Sequence, residues 1–126
     1  MSHAIDFTTI GANCVMKYSD SSTSVSIPFT PKVSGGIIEV EAITGSCWGY
    51  AGQTITLTIS TPSGLTQVSS HSGALVSGDT TGRQMLSRAI FSGATAGTIY
   101  NFTATVNGSL GRIPDMSIVV RYYPGS

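Results

Sequence analysis

The sequence predicts an all-β fold, an antiparallel β-sandwich or closed barrel assembled from short strands. Three observations predict it. Apolar residues alternate with Ser and Thr at period two through most of the chain, the spacing that places one strand face on a core and the other in solvent. Turn signals such as Ser34-Gly35-Gly36, Pro62-Ser63-Gly64 and Asn107-Gly108 interrupt that alternation at short intervals. Charged residues make up 10% of the chain, against an average of about 25%. Their place is taken by Ser, Thr and Gly, residues suited to half-buried strands and to turns.

The elements follow in order. Ile5–Ile10 and Cys14–Tyr18 are the first two strand candidates, and residues 1–12 read as a loosely attached N-terminal strand. In Ser24-Val-Ser-Ile-Pro-Phe29 the residues Val25, Ile27 and Phe29 share one face. Ile37–Ile43 comes next. Thr54–Ser60 is the cleanest alternation, with Ile55, Leu57 and Ile59 opposite a row of threonines. Leu65–Ser70 and Met85–Phe91 follow, then a strand aligning Tyr100, Phe102, Ala104 and Val106, and finally Met116–Tyr123. That makes about nine strands with no helical stripe of useful length, as in a sandwich or barrel.

With 126 residues the chain fits one domain, residues 1–126, able to bury roughly two-thirds of its unfolded surface. Six basic residues balance six acidic ones, so no basic stripe exists to neutralise phosphates and nucleic acid is not an expected partner. The apolar runs are too short for membrane insertion. The opening MSHAIDFTTIGANC lacks the charged start and apolar stretch of a signal peptide. Cys14 and Cys47 are the only cysteines. They read first as two buried thiols acting as small hydrophobes, with a disulfide as the alternative.

Two strands break the simple alternation. In Met116–Tyr123 one face carries Met116, Ile118, Val120 and Tyr122, yet Val119 and Tyr123 make the opposite face partly apolar around Arg121. In Ile37–Ile43 the face opposite Ile38, Val40 and Ala42 carries Ile37, Glu39, Glu41 and Ile43. A strand apolar on both sides needs a cover for its second face. Ile37, Ile43, Val119, Arg121 and Tyr123 are therefore the expected subunit interface, although large sandwiches also cover such strands internally.

The stretch Phe29-Thr-Pro-Lys-Val-Ser-Gly-Gly-Ile-Ile-Glu-Val40 resembles the strand-turn-strand signature of trimeric jelly rolls, the tumour necrosis factor and complement globular-head family. It is also similar to the trimeric tips of bacteriophage tail fibres, spikes and needles. The pattern extends over roughly residues 23–123. The family's Gly-Tyr pair is Gly36-Ile37 here, and its Phe-rich last strand is Ile118-Val-Val-Arg-Tyr-Tyr123, departures that weigh against the animal complement-type branch. The resemblance implies a jelly-roll sandwich, a homotrimer with the last strand near its axis, and a place in the virion. A second stretch, Phe91–Thr105, looks like the corner of fibronectin type III domains, where the hydroxyl of a tyrosine in the position of Tyr100 bonds back to upstream backbone. That resemblance implies a monomeric structural or adhesion domain.

Catalytic machinery is thinly represented. His3 is terminal and His71 lies in a Ser-rich stretch with no Gly-x-Ser-x-Gly elbow. Glu39 and Glu41 share a strand face about 6.5–7 Å apart, a separation that inverting glycosidases use; two acids on a solvated or interface face, partnered by Lys32 or Arg88, is the simpler reading. Asp79 with neighbouring hydroxyls offers too few oxygens for calcium. Asn101-Phe-Thr and Asn107-Gly-Ser match the glycosylation sequon by chance. No enzyme, cofactor or metal is expected.

Recognition then falls to loops, which a rigid β scaffold displays. Thr44–Gln53 holds Trp48, the sole tryptophan, among Gly45, Gly49 and Gly52, with Tyr50 close by. Residues 70–84 form the second long stretch, with His71, Asp79, Arg83 and Gln84. Trp48 reads either as a plug for the end of the sandwich or as a contact residue whose face stacks on a sugar. The expected function is a non-catalytic receptor-binding tip of a tailed bacteriophage. Trp48, Tyr50, His71, Asp79, Arg83 and Gln84 would recognise a host-surface glycan or protein. A small non-viral lectin is the further alternative.

Overall fold

In the computed structural model the structure describes residues 8–11, 13–49, 54–75, 83–108 and 110–125. Every strand candidate read from the alternation recurs within them. β1 is Thr8–Gly11, β2 Cys14–Ser19, β3 Ser24–Phe29 and β4 Ile37–Thr44. Residues 5–7 of the first candidate lie outside the described residues. β5 is the pair Trp48–Gly49, β6 is Ile55–Ile59, β7 Thr66–His71 and β8 Gly73–Leu75. β9 is Leu86–Ser92, β10 Tyr100–Asn107, β11 Leu110–Arg112 and β12 Met116–Tyr123. The short β5, β8 and β11 lie in segments too brief to show a period.

The strands form two principal sheets. One has six strands in the order β1-β2-β12-β4-β9-β7, the other four in the order β3-β10-β6-β8, and β11 pairs with β5 in a small ribbon. The pairings are antiparallel. Non-consecutive neighbours such as β12 between β2 and β4 require the chain to cross repeatedly from one sheet to the other. Packed face to face, the two sheets form the antiparallel β-sandwich that the alternation predicts.

The core lies between them. Ile27 and Phe29 of β3, Ile55 and Leu57 of β6, and Phe102 of β10 meet Ile38 and Val40 of β4, Phe91 of β9, and Ile118 and Val120 of β12, all buried. Two aromatic pairs cross the interlayer. Phe29 and Tyr122 have ring centroids 5.8 Å apart, and Phe91 and Phe102 5.6 Å apart, both tilted, within the range where aromatic pairs attract beyond their burial. The Tyr122 hydroxyl donates to the carbonyls of Gly35 at 2.7 Å and Val33 at 2.9 Å, tying the loop after β3 to the last strand. Gly36 in that loop has φ +75, and a Cβ there would sit 2.4 Å from the Tyr123 carbonyl oxygen. Only glycine lets the two backbones approach so closely.

The outer faces of the two sheets differ. The four-stranded sheet is lined with hydroxyls: Ser26 and Thr103 are 2.7 Å apart, and the Asn107 amide donates to Thr58 at 3.2 Å. The six-stranded sheet presents Ile37, Ile43, Leu86 and Tyr123, each more than two-fifths exposed. Its edge strand β7 is exposed throughout and carries a bulge between Gln67 and Ser69, a common way of blunting an open edge.

The sequence reading needs correction at several points. Cys14 and Cys47 are both free; Cys47 is buried, but Cys14 is only half-buried, because it points outward beside Arg121 in the β2–β12 register. The stretch predicted as one long loop over residues 70–84 opens with β7 and β8. At Ser72 the chain passes from the six-stranded to the four-stranded sheet, and the Gly73 N–H donates to the Ser87 hydroxyl at 2.9 Å. Tyr100 does accept a hydrogen bond from the upstream Thr95 N–H at 2.8 Å, the local device expected of a fibronectin corner. It stands here in a jelly-roll strand order.

Candidate functional site

Two surfaces carry the candidate residues. The first is the outer face of the six-stranded sheet. In the β4–β12 register Ile37 faces Tyr123, Glu39 faces Arg121 and Glu41 faces Val119. On the other side of β4, Ile37 faces Ser92, Glu39 faces Ile90, Glu41 faces Arg88 and Ile43 faces Leu86. Cross-strand partners share a face. The five residues expected at a subunit interface therefore do lie together, joined by Leu86, Ile90 and Arg88, which the sequence reading did not include. The signal was present in Leu86-Ser-Arg-Ala-Ile-Phe91, where Leu86 and Ile90 alternate against the buried Ala89 and Phe91.

At the centre of this face stands an ion network. Glu39 is bonded to Arg88 and lies 3.3 Å from Arg121, whose guanidinium is closer still to Glu41. Lys32, the alternative partner read from sequence, sits in the exposed loop after β3. The hydrogen bond to Glu41, reinforced by the charges of both glutamates, pushes Arg121 further above its already high range against the opposing effect of burial. Isolated surface ion pairs contribute about 0–1 kcal/mol. The Glu39 side chain is only 11% exposed, and these two arginines are its ionic partners. Two acids and two bases cancel, leaving a neutral polar centre within an apolar rim.

The second surface is one end of the sandwich, where the turns after β2 and β4 and the residues just before β9 and β12 gather. The Cys47 N–H donates to the Arg83 carbonyl at 3.0 Å and the Arg83 N–H to the Cys47 carbonyl at 2.9 Å. The Thr44 N–H reaches the Met85 carbonyl at 2.9 Å, and the Met85 N–H returns to the Thr44 hydroxyl at 2.9 Å. The described ends of the two stretches singled out by sequence, Thr44 and Cys47 on one side and Arg83 on the other, are thus bonded together with Met85. Burial pushes the Cys47 thiol above its ordinary range. Trp48 is half-buried in β5, opposite Arg112 of β11. A Cβ on Gly111 would fall 1.8 Å from its ring, so the indole rests against bare backbone, part plug and part surface. Tyr50 and Asp79 lie outside the described residues.

Gln84 is exposed and lines a cleft of about 200 Å³ with Asp115 and with Tyr18, Ser117 and Ile43, which stand in one cross-strand row at the rim of the six-stranded sheet's outer face. Asp115 is fixed there. Its Oδ1 accepts the Ser21 N–H at 3.2 Å, and its carbonyl accepts the Gly45 N–H at 2.7 Å. Hydrogen bonding with the Asp20 side chain, then with Ser21 and the Tyr18 hydroxyl, and the nearby Arg112 charge hold its carboxyl below the usual carboxylate range. Sequence reading missed Tyr18 and Asp115, because residues so far apart in the chain meet only through the fold. His71 is not part of this cleft. It faces Arg88 across β7–β9 and lines a separate shallow hollow with Ser69, Ser70 and Ile90.

A two-sheet antiparallel sandwich with this strand order, loops gathered at one end and one sheet face apolar, defines the class: a jelly-roll domain. The chain belongs to the major structural protein 1 jelly-roll family, whose family model matches residues 14–125. It is also similar to a chain in the structure of the tripod (BppUct-A-L) from the baseplate of bacteriophage Tuc2009. That match has 30% identity over 94% of this chain and 70% of the other, with a TM-score of 0.62. Among curated proteins none matches. The resemblance to jelly rolls of phage tail appendages expected from Phe29–Val40 therefore holds.

Proposed function

We propose that the chain is a non-catalytic receptor-binding module of a tailed-phage appendage, carried on the virion as a homotrimer and recognising a host-surface glycan or protein through its loop-bearing end. The observation that carries this reading is the likeness, at 30% identity over 94% of the chain, to a component of a phage baseplate tripod. The trimer is supported by the contrast between the two outer faces: hydroxyls cover one sheet, while Ile37, Ile43, Leu86 and Tyr123 lie open on the other. Exposed apolar patches of this kind mark interaction sites, and a self-neutralised centre lets like surfaces approach without net repulsion. The non-catalytic reading is supported by Glu39 and Glu41, the carboxylates with catalytic spacing, both being committed to arginines. Competition with infection tests the proposal. The purified protein, added to bacteria that the phage infects, is expected to bind the cells and slow phage adsorption. Absence of both effects would contradict it.

A further inference from the structure

We propose that the hollow lined by Ser69, Ser70, His71, Arg88 and Ile90 is the seat for the Tyr123 ring of the next copy in the assembly. The inference rests on the reading of the six-stranded sheet as the subunit contact and supplies the residue pairing that reading leaves open.

Symmetry asks for such a pair. A closed trimer is built from heterologous contacts, in which one patch meets a different patch on its neighbour. A single apolar face serves only if it carries two complementary parts, one at each side. The strand order supplies them: β2 and β12 lie on one side, β9 and the edge strand β7 on the other, with β4 between. Among the described side chains of β2 and β12 only Tyr123 is largely exposed, at 53%. The β9–β7 part carries the hollow, about 200 Å³ in volume. One part thus has a knob and the other a hole.

Tyr123 does not fill its own hollow. In register it stands opposite Ile37, and Ile37 stands opposite Ser92 of β9. That places it two strand spacings, roughly 9–10 Å, from β9 and a further ~7 Å along the strand from Ile90. The hollow it can enter belongs to another copy.

The lining suits a phenol. Ile90 contributes aliphatic surface, and the Arg88 guanidinium, held by Glu39, is a planar cation of the kind that stacks on aromatic faces. Ser69, Ser70 and His71 contribute polar groups able to donate to or accept from the phenolic hydroxyl. Tyrosine combines such an apolar body with a polar tip, which is why it is enriched at interfaces. A free anion is poorly served, because Glu39 already meets the charge of Arg88 and Glu41 stands opposite Arg88 across β4–β9.

Site-directed cross-linking of the whole protein tests the seat. The variants carry Cys14→Ser, since Cys14 stands beside Arg121 on the same face. Cys47 is buried with its thiol pushed up and stays unreactive. A short bifunctional maleimide is expected to bridge Ser69→Cys and Tyr123→Cys in the double variant, giving covalent species of up to three chains, and to bridge neither single variant. Bridging in Tyr123→Cys alone, which sets the tyrosine positions against one another, overturns the seat, as does no bridging in the pair. Energetic coupling gives a second readout. Tyr123→Ala and Ile90→Ala should each raise the concentration at which the trimer half-dissociates about tenfold. The double variant should raise it little further, because both changes remove one contact. Additive losses place the two residues in separate contacts and overturn the proposal. The outcomes also separate it from the broader reading. If the wild type sediments as a trimer and the pair fails to bridge, the seat is wrong and the trimer stands. If bridging stops at two chains, the seat stands in an isologous dimer and the trimer falls.

Discussion

Trp48 can rest where it does because residue 111 has no side chain. A methyl group there would lie 1.8 Å from the ring, inside any permitted contact, so the indole or the β5–β11 ribbon has to move. Overpacking of this kind costs about 1–3 kcal/mol. Gly111→Ala is accordingly expected to lower the thermal midpoint and shift the emission of the sole tryptophan to the red, as the ring leaves its half-buried seat. An unchanged midpoint and emission would show that the ring does not depend on Gly111. Tyr100 illustrates a residue whose role did carry over from sequence. The hydroxyl predicted to fix a corner accepts the Thr95 N–H at 2.8 Å, a bond worth about 0.5–1.5 kcal/mol net. The device is local, and it recurs in an unrelated strand order because it needs only a turn and the following strand.

Among the elements, β4, β9 and β12 build the face proposed for subunit contact. Val119 sits at its centre, half-buried and opposite Glu41. Glutamate at that position remains solvated in a single chain, so the fold should survive. In an interface it places like charges together, at a cost of several kcal/mol. Val119→Glu is expected to reduce the solution mass to that of one chain while the far-UV circular dichroism stays native. A full-sized assembly in this variant would show that β12 lies outside the contact. How far these elements could be read beforehand follows from their length. β10 and β12 are eight residues each, long enough for a period to appear, and the doubly apolar character of β12 marks the outer face proposed for subunit contact. β5 and β11 owe their existence to each other, as Trp48 and Arg112 meet only once the sheets have packed. The cleft is legible in the fold alone for the same reason: Tyr18, Gln84 and Asp115 come from three separate segments. His71 was grouped with Trp48 by loop position, but the bulge in β7 and its pairing with β9 carry it onto the sheet face.

For the whole molecule, the two surfaces divide the labour. In the proposed trimer the apolar, internally neutralised sheet face would hold copies together and the loop-bearing end would face outward. Linking several weak sites raises avidity by ~100–10,000-fold without any new contact, so assembly through the sheet face would strengthen recognition at the loop-bearing end. In the proposed trimer, sister chains cover the six-stranded sheet. Sedimentation velocity of the wild-type protein across a wide dilution series tests it most directly. A species of three times the 13.0 kDa chain mass, persisting to low concentration, is the predicted result. A stable single-chain particle at every concentration would contradict it.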